Sequence, residues 1–533
     1  MSSDATFENS SVEVQVQEQT VQEQAVAPTF VLPRLTVLQL LNLCIGFIGI
    51  QFAWSMQIGL SARVTEPLGA TPLIFGLIWL AGPITGILVQ PVIGVISDNV
   101  WTKMGRRRPF LLVGAILGSL GLIAFPNSAF IASHFGIISA IVVAAAFLWI
   151  IDACVNVSQG PYRALIPDVA PPEQHALANS FLSFAIGAGA VIAFGTAPFV
   201  NWAFGYQMSI QQQFLMGAIA FTVAMIWTSV TTPEKNKPVK TEDNTESAFE
   251  PVRNFAISAV FSLIVTSLIY VFGNYDLSAK DSIAQLLSWF VLILSIPMLT
   301  MALISFPSKE AYKLCAMQFF TWLGIMSMFI YFNNYVVHNV FAIPDLSAAT
   351  EAVKTQFSAQ ILAATNVSQT AFAIFNAVCL VVSIPLGIIC GKLGKKVVHA
   401  LALTAMSAAF FGLAFIAKDA TSVLVFMGIA GIGWASVLAL PFALLTEHIK
   451  PGTEGSAMGK FNLFIAGPQI LSSVAVGYLI TRNPMQVADG MTHHWEYAFI
   501  VSGVAVLLAA LITLTIKEKC KSLDVTSCSN SGH

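Results

Sequence analysis

Long apolar stretches dominate the chain, and short polar segments separate them. From residue 35 onward, fourteen stretches are each long enough to cross a bilayer as one α-helix, since about 20 apolar residues span its hydrocarbon core. They lie at about 35–60, 72–97, 109–126, 136–166, 176–202, 214–231, 254–272, 285–306, 315–341, 366–391, 397–417, 421–446, 457–481 and 495–516. The pattern therefore predicts an all-α polytopic membrane protein with fourteen transmembrane helices.

Composition supports this prediction and narrows the possible partners. The 533 residues are 56% hydrophobic and 10% charged, whereas globular proteins carry about 25% charged residues. The net charge of −2 does not indicate a partner, and no basic patch suggests nucleic acid. The seven cysteines are scattered without metal-ligand spacing, so neither a metal nor a cofactor is expected. No catalytic set lies at membrane depth, so an enzyme is not predicted.

Basic residues are distributed unequally between the two sides of the predicted membrane. With a cytoplasmic N-terminus, nineteen Lys and Arg residues fall on the cytoplasmic side and five on the opposite side, with Arg163 inside a span. Because Lys and Arg accumulate in cytoplasmic loops, both termini are predicted to be cytoplasmic. The predicted location is the plasma membrane, or the inner membrane of a bacterium.

Two similar basic loops indicate an internal repeat. The second span leads into a loop with Asp98, Gly105 and Arg106–Arg108, and the tenth into one with Gly394 and Lys395. Their matching positions predict two six-helix bundles. The spans at 254–272 and 285–306 are then left over, and we expect an inserted hairpin. The predicted segments are a disordered cytoplasmic tail (1–33), the first bundle (34–231), a cytoplasmic linker (232–253), the hairpin (254–308), the second bundle (309–516) and a cytoplasmic tail (517–533).

The fourth span, within Ala146–Asp168, carries the main candidate for chemistry. Asp152 is the only acid deep inside an apolar stretch, where a charge costs about 2.5–3.5 kcal/mol and usually has a function. Arg163 follows about three helical turns later, on the same stripe and about 16 Å along the axis. Gly160 and Pro161 should loosen the helix between them. We interpret Asp152 as a proton carrier facing a water-filled pathway; a purely structural link between helices is the alternative.

Several motifs resemble those of one transporter group. They are QFAWSMQIGL from Gln51, LAGPITGILVQPVIGVISD from Leu80, GRRRPF from Gly105, the Asp-x-x-x-Asn-x-x-Gln-Gly-Pro-x-Arg pattern from Asp152, FNAVCLVVSIPLG around Asn376, GWASVLALPFALL from Gly433 and GKFNLFIAGPQI from Gly459. Together they resemble the glycoside–pentoside–hexuronide:cation symporters of the major facilitator superfamily. This group includes proton symporters of sucrose and maltose and their bacterial relatives.

The resemblance implies a major facilitator fold of two six-helix bundles and uptake of a disaccharide or glucoside, such as sucrose or maltose, with a proton. By this resemblance, Asp152 and Arg163 are expected to act in proton coupling, and Asp152 is also expected to contact the sugar. Plant sucrose carriers have acidic residues where this chain has Asn333 and Asn334. These asparagines lie in the ninth span, which is the seventh helix when the two hairpin spans are left out. This helix resembles that of bacterial relatives that accept maltose or other glucosides. A sugar-binding membrane sensor and an efflux carrier for another small molecule are the alternatives.

A sugar site needs amides and a carboxylate for hydroxyl groups and aromatic rings for apolar faces. The candidate sugar-binding residues are Asp152, Asn156, Gln51, Trp54, Gln57, Asn179, Asn333, Asn334, Asn376, Asn462 and Gln469. For each amide, an interhelical hydrogen bond is the alternative. For Trp54, the alternative is a packing or interface role. Asp98, Gly105 and Arg106–Arg108 form the predicted cytoplasmic gating motif. His338, near the outer face, is interpreted as a loop-edge histidine, with a pH-sensitive group as the alternative. The protein is expected to act as a monomer in the lipid bilayer.

Overall fold

The computed structural model describes residues 33–136, 139–234, 245–273, 280–304, 306, 308–347, 349–448 and 454–518. Thirteen helical segments within these ranges are long and apolar enough to cross a membrane, and one further helix contains the shorter apolar run Gln285–Met301. Together they match the fourteen predicted spans. Most of the predicted N-terminal tail, part of the linker and most of the C-terminal tail lie outside the described residues.

Eight helices build the first half of the molecule. They are α1 (Val37–Thr65), α2 (Pro72–Ile78), α3 (Ala81–Asn99), α4 (Arg108–Ala124), α5 (Ser128–Phe135), α6 (Ala140–Val169), α7 (His175–Phe204) and α8 (Ile210–Thr231). Helices α2 and α3 form the second span, and α4 and α5 form the third, joined by a 3-10 turn at Phe125–Asn127. Thr36 and Ser209 begin α1 and α8 with reciprocal capping boxes, which satisfy backbone N–H groups that a helix start leaves free.

Two further helices form the inserted hairpin, α9 (Thr245–Phe272) and α10 (Lys280–Ile304). They pack against each other, and the Ser262 hydroxyl of α9 donates to the Phe290 carbonyl of α10. Helix α9 also contacts α3 of the first half. Most of the apolar part of α9 is exposed, as expected for a peripheral helix that faces lipid.

The second half contains six helices and one short strand pair. These are α11 (Lys309–Tyr335), which ends in a π-helical turn (Val336–Val340), α12 (Glu351–Leu393), α13 (Lys395–Phe415), α14 (Ala420–Thr446), α15 (Glu454–Thr481), β1 (Pro484–Val487), β2 (Gly490–His493) and α16 (Tyr497–Thr515). The strands are antiparallel, with Pro484 opposite His493. Leu299 of α10 lies against Gly467 of α15, so the hairpin contacts both halves.

Helix α12 is much longer than its predicted span of 366–391. It has 43 residues and therefore extends about 65 Å, roughly twice the thickness of a hydrocarbon core. Its first turns are polar, so hydropathy alone did not register them. Lys354 pairs with Glu351 at 2.8 Å and donates to the Pro67 carbonyl at 3.0 Å. The extension is thereby docked on the first half.

The two halves meet along two seams. Helix α15 packs on α2 and α3 at one seam, and α12 packs on α7 at the other. At the second seam, the rings of Phe194 and Phe372 stack with centroids 4.8 Å apart. The helices approach closely at the first seam because Gly76 has no side chain, and a Cβ at this position would collide with the Ser473 backbone.

Candidate functional site

A polar stripe on α6 faces a row of small residues on α3. Asp152 and Asn156 are one turn apart and both about 4% exposed. A Cβ placed on Gly82 would lie 3.9 Å from the Asp152 carboxyl, and one on Gly86 would lie 4.0 Å from the Asn156 amide oxygen. The glycines thus leave a slot beside the two polar side chains.

Asn156 is held by hydrogen bonds from α3 and from its own helix. Its amide donates to the Thr85 hydroxyl at 3.0 Å and to the Asp152 backbone carbonyl at 2.9 Å. Its oxygen accepts from the Gln90 amide at 2.5 Å. Thr85 and Gln90 were not among the predicted residues. A signal was available, because both lie in the quoted stretch from Leu80 at helical spacing from Gly82 and Gly86.

The Asp152 carboxyl has no ion-pair partner among the described residues. The Gln57 side chain of α1 approaches it. Gln57 Nε2 and, one turn earlier, Trp54 Nε1 are buried and have no hydrogen-bond partner in the part of the chain that is described. The Gln57 amide beside the Asp152 carboxyl therefore forms a site that hydroxyl groups could satisfy.

Arg163 lies on the same helix as Asp152, and the helix continues through Gly160 and Pro161. The predicted loosening at these two residues does not interrupt it. Arg163 is exposed, and its guanidinium carbon is 5.9 Å from the centroid of the Phe47 ring on α1. Within the described chain it makes no ion pair with Asp152. Its predicted role in proton coupling stays a prediction.

The other predicted amides are dispersed. Asn179 and Asn376 donate to carbonyls of their own helices, each at 2.9 Å. Gln51 packs at Gly189 of α7, and Asn462 is exposed while Gln469 is half-buried. Their assignment to sugar binding stays a prediction.

Asn333 and Asn334 lie instead where α11 meets the end of α1, in a region that we name the sealed end. Asn333 donates to the Gly59 carbonyl at 3.0 Å, and Asn334 accepts from the Arg63 guanidinium. Both contacts join the two halves, and both asparagines are buried. In this conformation they connect α11 to α1.

Further bonds between the halves strengthen the sealed end. Glu66 of α1's C-terminal turn accepts from the Leu346 N–H at 3.0 Å and lies 3.1 Å from His338 Nε2. Arg63 pairs with Glu66 at 2.9 Å. His338 is fully buried, so its interpretation as a loop-edge histidine is wrong. Long-range partners such as Glu66 and Leu346 leave no periodic signal in the sequence.

At the opposite end, which we name the basic end, the ion pairs of Arg106 and Arg107 stay within the first half. Arg106 contacts Asp168 at 2.5 Å, and Arg107 contacts the same carboxylate at 3.0 Å. Asp98 also pairs with Arg107. Burial lowers the pKa of Arg106, but the hydrogen bond and charge of Asp168 outweigh it and raise the pKa above its usual value. The predicted gating motif thus ties α3, α4 and α6 together.

An acidic residue after the last helix of each half caps the repeated loop. Glu234 accepts from the Arg106 and Arg107 N–H groups at 2.9 Å, beside Gly105 with φ of +103°. Glu518 accepts from the Lys395 N–H at 2.5 Å, beside Gly394 with φ of +88°. A carboxylate at a helix start is favoured by its free N–H groups and dipole. The sequence signal was a T-x-x-E repeat, at 231–234 and 515–518.

The second half contains an aromatic cluster around Trp434. Trp434 of α14 contacts Trp322 and Phe329 of α11, with ring centroids 5.8 and 5.5 Å apart. One turn before Trp322, Gln318 is fully buried, and neither of its amide atoms has a hydrogen-bond partner among the described residues. Neither Gln318 nor this aromatic cluster was predicted. Aromatic residues are frequent throughout the spans, so no single one stands out.

The family model of the Major Facilitator Superfamily matches residues 43–330 and 323–524. The chain belongs to the major facilitator superfamily. The family match and the helical architecture together confirm the predicted fold of two six-helix bundles with an inserted hairpin. It is accordingly a multi-pass membrane protein.

Similar curated proteins are transporters from plants and yeast. The chain is 25% identical to the sucrose transport protein SUC4 of Arabidopsis thaliana, over 80% of this chain and 81% of that protein. It is 24% identical to the general alpha-glucoside permease of Schizosaccharomyces pombe, over 90% and 93%. It is 30% identical to the Arabidopsis sucrose transport protein SUC3 over 38% of each chain.

Solved structures support the same fold. The peptide transporter POT in complex with sulfate has a TM-score of 0.61 at 13% identity, covering 91% of this chain and 96% of that one. The nucleoside transporter NupG has a TM-score of 0.55 at 12% identity, covering 90% and 98%. At this identity the likeness concerns the fold alone.

Proposed function

We propose that this facilitator is a proton-coupled sugar symporter that works by alternating access, with Asp152 as the proton carrier. The observation that carries the proposal is a carboxyl in the middle of α6 that is 4% exposed and has no ion-pair partner in the described chain. An intramembrane acid of this kind is a functional site by default. The sugar class is supported by relatives named as sucrose transport proteins and an alpha-glucoside permease.

The orientation follows from the positive-inside rule. The basic end, with Arg106, Arg107 and Lys395, would face the cytoplasm, and the sealed end would face outward. Side-chain hydrogen bonds between the halves, such as those of Asn333 and Glu66, concentrate at the sealed end. The structure would then represent a conformation closed to the outside. We place the protein, as a monomer, in the plasma membrane or the bacterial inner membrane.

The sugar would bind between the polar stripe and the aromatic rings of the second half. Gln57 and Asp152 supply hydrogen-bonding groups from the first half, and Trp54 adds an indole N–H. Trp322 and Trp434 supply apolar ring faces from the second half. This division suits a neutral ligand that is polar at its hydroxyl groups and apolar at its ring faces.

Coupling would arise because the carboxyl changes its hydrogen-bonding character with its charge. A protonated carboxyl can donate to a sugar hydroxyl, whereas an ionised one only accepts. Sugar affinity and protonation are then thermodynamically linked. A membrane potential supplies about 2.3 kcal/mol per charge per 100 mV, and a pH unit adds about 1.4 kcal/mol. Together, about 3–4 kcal/mol sustains a sugar gradient of several hundredfold.

Uptake of radiolabelled sucrose and maltose into proteoliposomes, with and without an imposed pH gradient, tests the proposal. The wild-type protein should accumulate sugar only with the gradient. Asp152→Asn should abolish accumulation while retaining sugar exchange, because the amide still forms hydrogen bonds but cannot release a proton. Asp419→Asn, at an exposed helix cap, is the matched control and should accumulate sugar normally. Full proton-driven accumulation by Asp152→Asn would refute the proposed role.

A further inference from the structure

His338 lies outside the proposed sugar path, in the buried interior of the sealed end. It belongs to the π-helical turn that ends α11 and is fully buried. Its ring is stacked on Trp495, with centroids 5.5 Å apart and 17° between the planes. Coupling through Asp152 makes no use of this histidine. Its position therefore calls for a separate account.

Both ring nitrogens of His338 lie close to oxygen atoms. Nδ1 lies 2.8 Å from the Ile343 carbonyl, which can only accept, so Nδ1 carries a proton. Nε2 lies 3.1 Å from a carboxylate oxygen of Glu66. At that distance, a proton added to Nε2 would complete a buried ion pair between the imidazolium and the Glu66 carboxylate.

The charged groups around the pair favour this additional proton. On α1, Arg63 pairs with Glu66 at 2.9 Å. From the loop after α11, Asp345 adds a second negative charge near His338. When the pair is protonated, the positive charges of Arg63 and of the proton balance the negative charges of the Glu66 and Asp345 carboxylates. An unbalanced buried carboxylate would cost several kcal/mol.

Two histidines and another acid lie at the margin of the same region. His493 of β2 is 3.3 Å from the Asp345 carboxylate. At the start of α16, Glu496 contacts the His494 ring at 2.5 Å and accepts from the Asn339 amide. These groups face Asp345 and Asn339 rather than the His338 ring nitrogens. Among the described residues, His338 is thus the histidine whose protonation bears directly on a contact between the halves.

Glu66 belongs to the first half and His338 to the second, so opening the sealed end must separate them. We propose that this pair is a second protonation site, distinct from Asp152, which binds a proton when the sealed end closes and loses it when that end opens. In water an imidazole titrates near pH 6.5. The ratio of sealed to open molecules should therefore be high and constant below about pH 6.5 and fall by up to about tenfold per pH unit above it.

This inference depends on the proposed orientation in one respect only, namely which compartment's pH the site senses. With the sealed end outward, acidification outside would favour closure toward the outside. The pair would thus add a proton-dependent conformational step beside the coupling at Asp152. Because this step requires no sugar, it can be measured without transport.

Spin labels on both halves of the sealed end provide the measurement. Ser133→Cys on α5 and Lys418→Cys after α13 are exposed attachment sites. The five described cysteines are buried, and Cys520 and Cys528 are replaced by serine. Distances between the labels are recorded by electron paramagnetic resonance in nanodiscs without sugar, from about pH 5 to pH 8. A longer-distance population should grow as the pH rises.

Four variants separate this site from others. His338→Gln and Glu66→Gln should each abolish the pH dependence, and they provide two independent routes if one folds poorly. His134→Gln, at an exposed histidine on the same end, should retain it. Asp152→Asn should also retain it, which distinguishes failure of the coupling proposal from failure of this one.

Three results would overturn the inference. The first is a wild-type distance distribution that does not change with pH over this range. The second is an unchanged pH response in both His338→Gln and Glu66→Gln, which would assign the titration to another group. The third is loss of the response in Asp152→Asn alone, which would assign the pH dependence to the coupling site.

Discussion

The two ends of this facilitator use ionisable residues in opposite ways. At the sealed end they join the halves: Arg63 binds Asn334, and Glu66 faces His338. At the basic end they stay inside one half, as Arg106 does with Asp168. Lys395 and Glu447 form the corresponding buried pair in the second half.

The difference separates contacts that must break from contacts that must persist. If the halves rock against each other, every bond across the sealed end has to exchange with water or with new partners. Ion pairs within a half keep their geometry throughout. Buried pairs are costly to separate, so they suit the rigid halves, whereas the sealed end should be the part whose stability can be adjusted. Four predictions test this contrast.

The largest effect is expected at Lys395. Its ammonium group and Glu447 are buried, so Lys395→Met leaves a buried carboxylate without this cation. We expect a loss of about 3–5 kcal/mol in the free energy of unfolding, measured by denaturation in detergent. The double variant Lys395→Met/Glu447→Leu should recover part of the loss. A single variant as stable as the wild type would show that the pair does not stabilise the second half.

Arg63→Gln should have the next largest effect, and it should act on conformation. The substitution removes charged hydrogen bonds to Asn334 and Glu66, each worth about 1.5–3 kcal/mol. The sealed population should fall by about 10-fold to 100-fold, measured with the spin labels at 133 and 418. Arg106→Gln is the control at the basic end, where the distances across the sealed end should not change. Equal responses from the two variants would contradict the contrast.

The two carboxylate caps should contribute less, and about equally. Glu234→Ala and Glu518→Ala each remove an acceptor from a helix start. Each should cost about 0.5–2 kcal/mol of stability, seen as a lower thermal midpoint in detergent. Neither should alter the distance between the labels. A large conformational shift in one variant alone would show that the two loops are not equivalent.

The last prediction concerns acid stability at Asp345, in the loop after α11. Burial raises the pKa of its carboxyl, but hydrogen bonds from His493 and Ser347 outweigh burial and lower the pKa to about 2. A depressed pKa stabilises the folded state above the unfolded value of about 3.9, and this contribution is lost as pH falls toward 2. Asp345→Asn should therefore flatten unfolding curves between about pH 4 and 2. An unchanged acid transition would contradict this assignment.

Much of the fold could be predicted because membranes impose long, regular patterns. A span must be apolar over about 20 residues, so fourteen stretches could be counted directly. The length of α12 was underestimated because the polar turns from Glu351 to Lys354 dock on protein, and a hydropathy pattern does not register such contacts. The repeated basic loops predicted two halves, whereas their capping by Glu234 and Glu518 joins positions more than 120 residues apart.

The site was predicted in part for the same reason. Asp152 stands out because a charge inside an apolar stretch is costly. Its neighbours Thr85 and Gln90 come from another helix, and small polar residues occur in many spans. Asn333 and Asn334 were selected by residue type, but their present partners are Gly59 and Arg63. Residue type indicates what a side chain can bind, and packing determines what it does bind.

By itself, the sequence determined that this chain crosses a membrane many times, in two related halves, with one carboxyl buried at depth. These features follow from the energetic cost of exposing polar groups to lipid, which acts residue by residue along the chain. Only the tertiary structure decided that Glu66 meets His338 across the halves, while Arg106 meets Asp168 within one. Such pairs depend on how distant helices pack together, and local composition does not encode that.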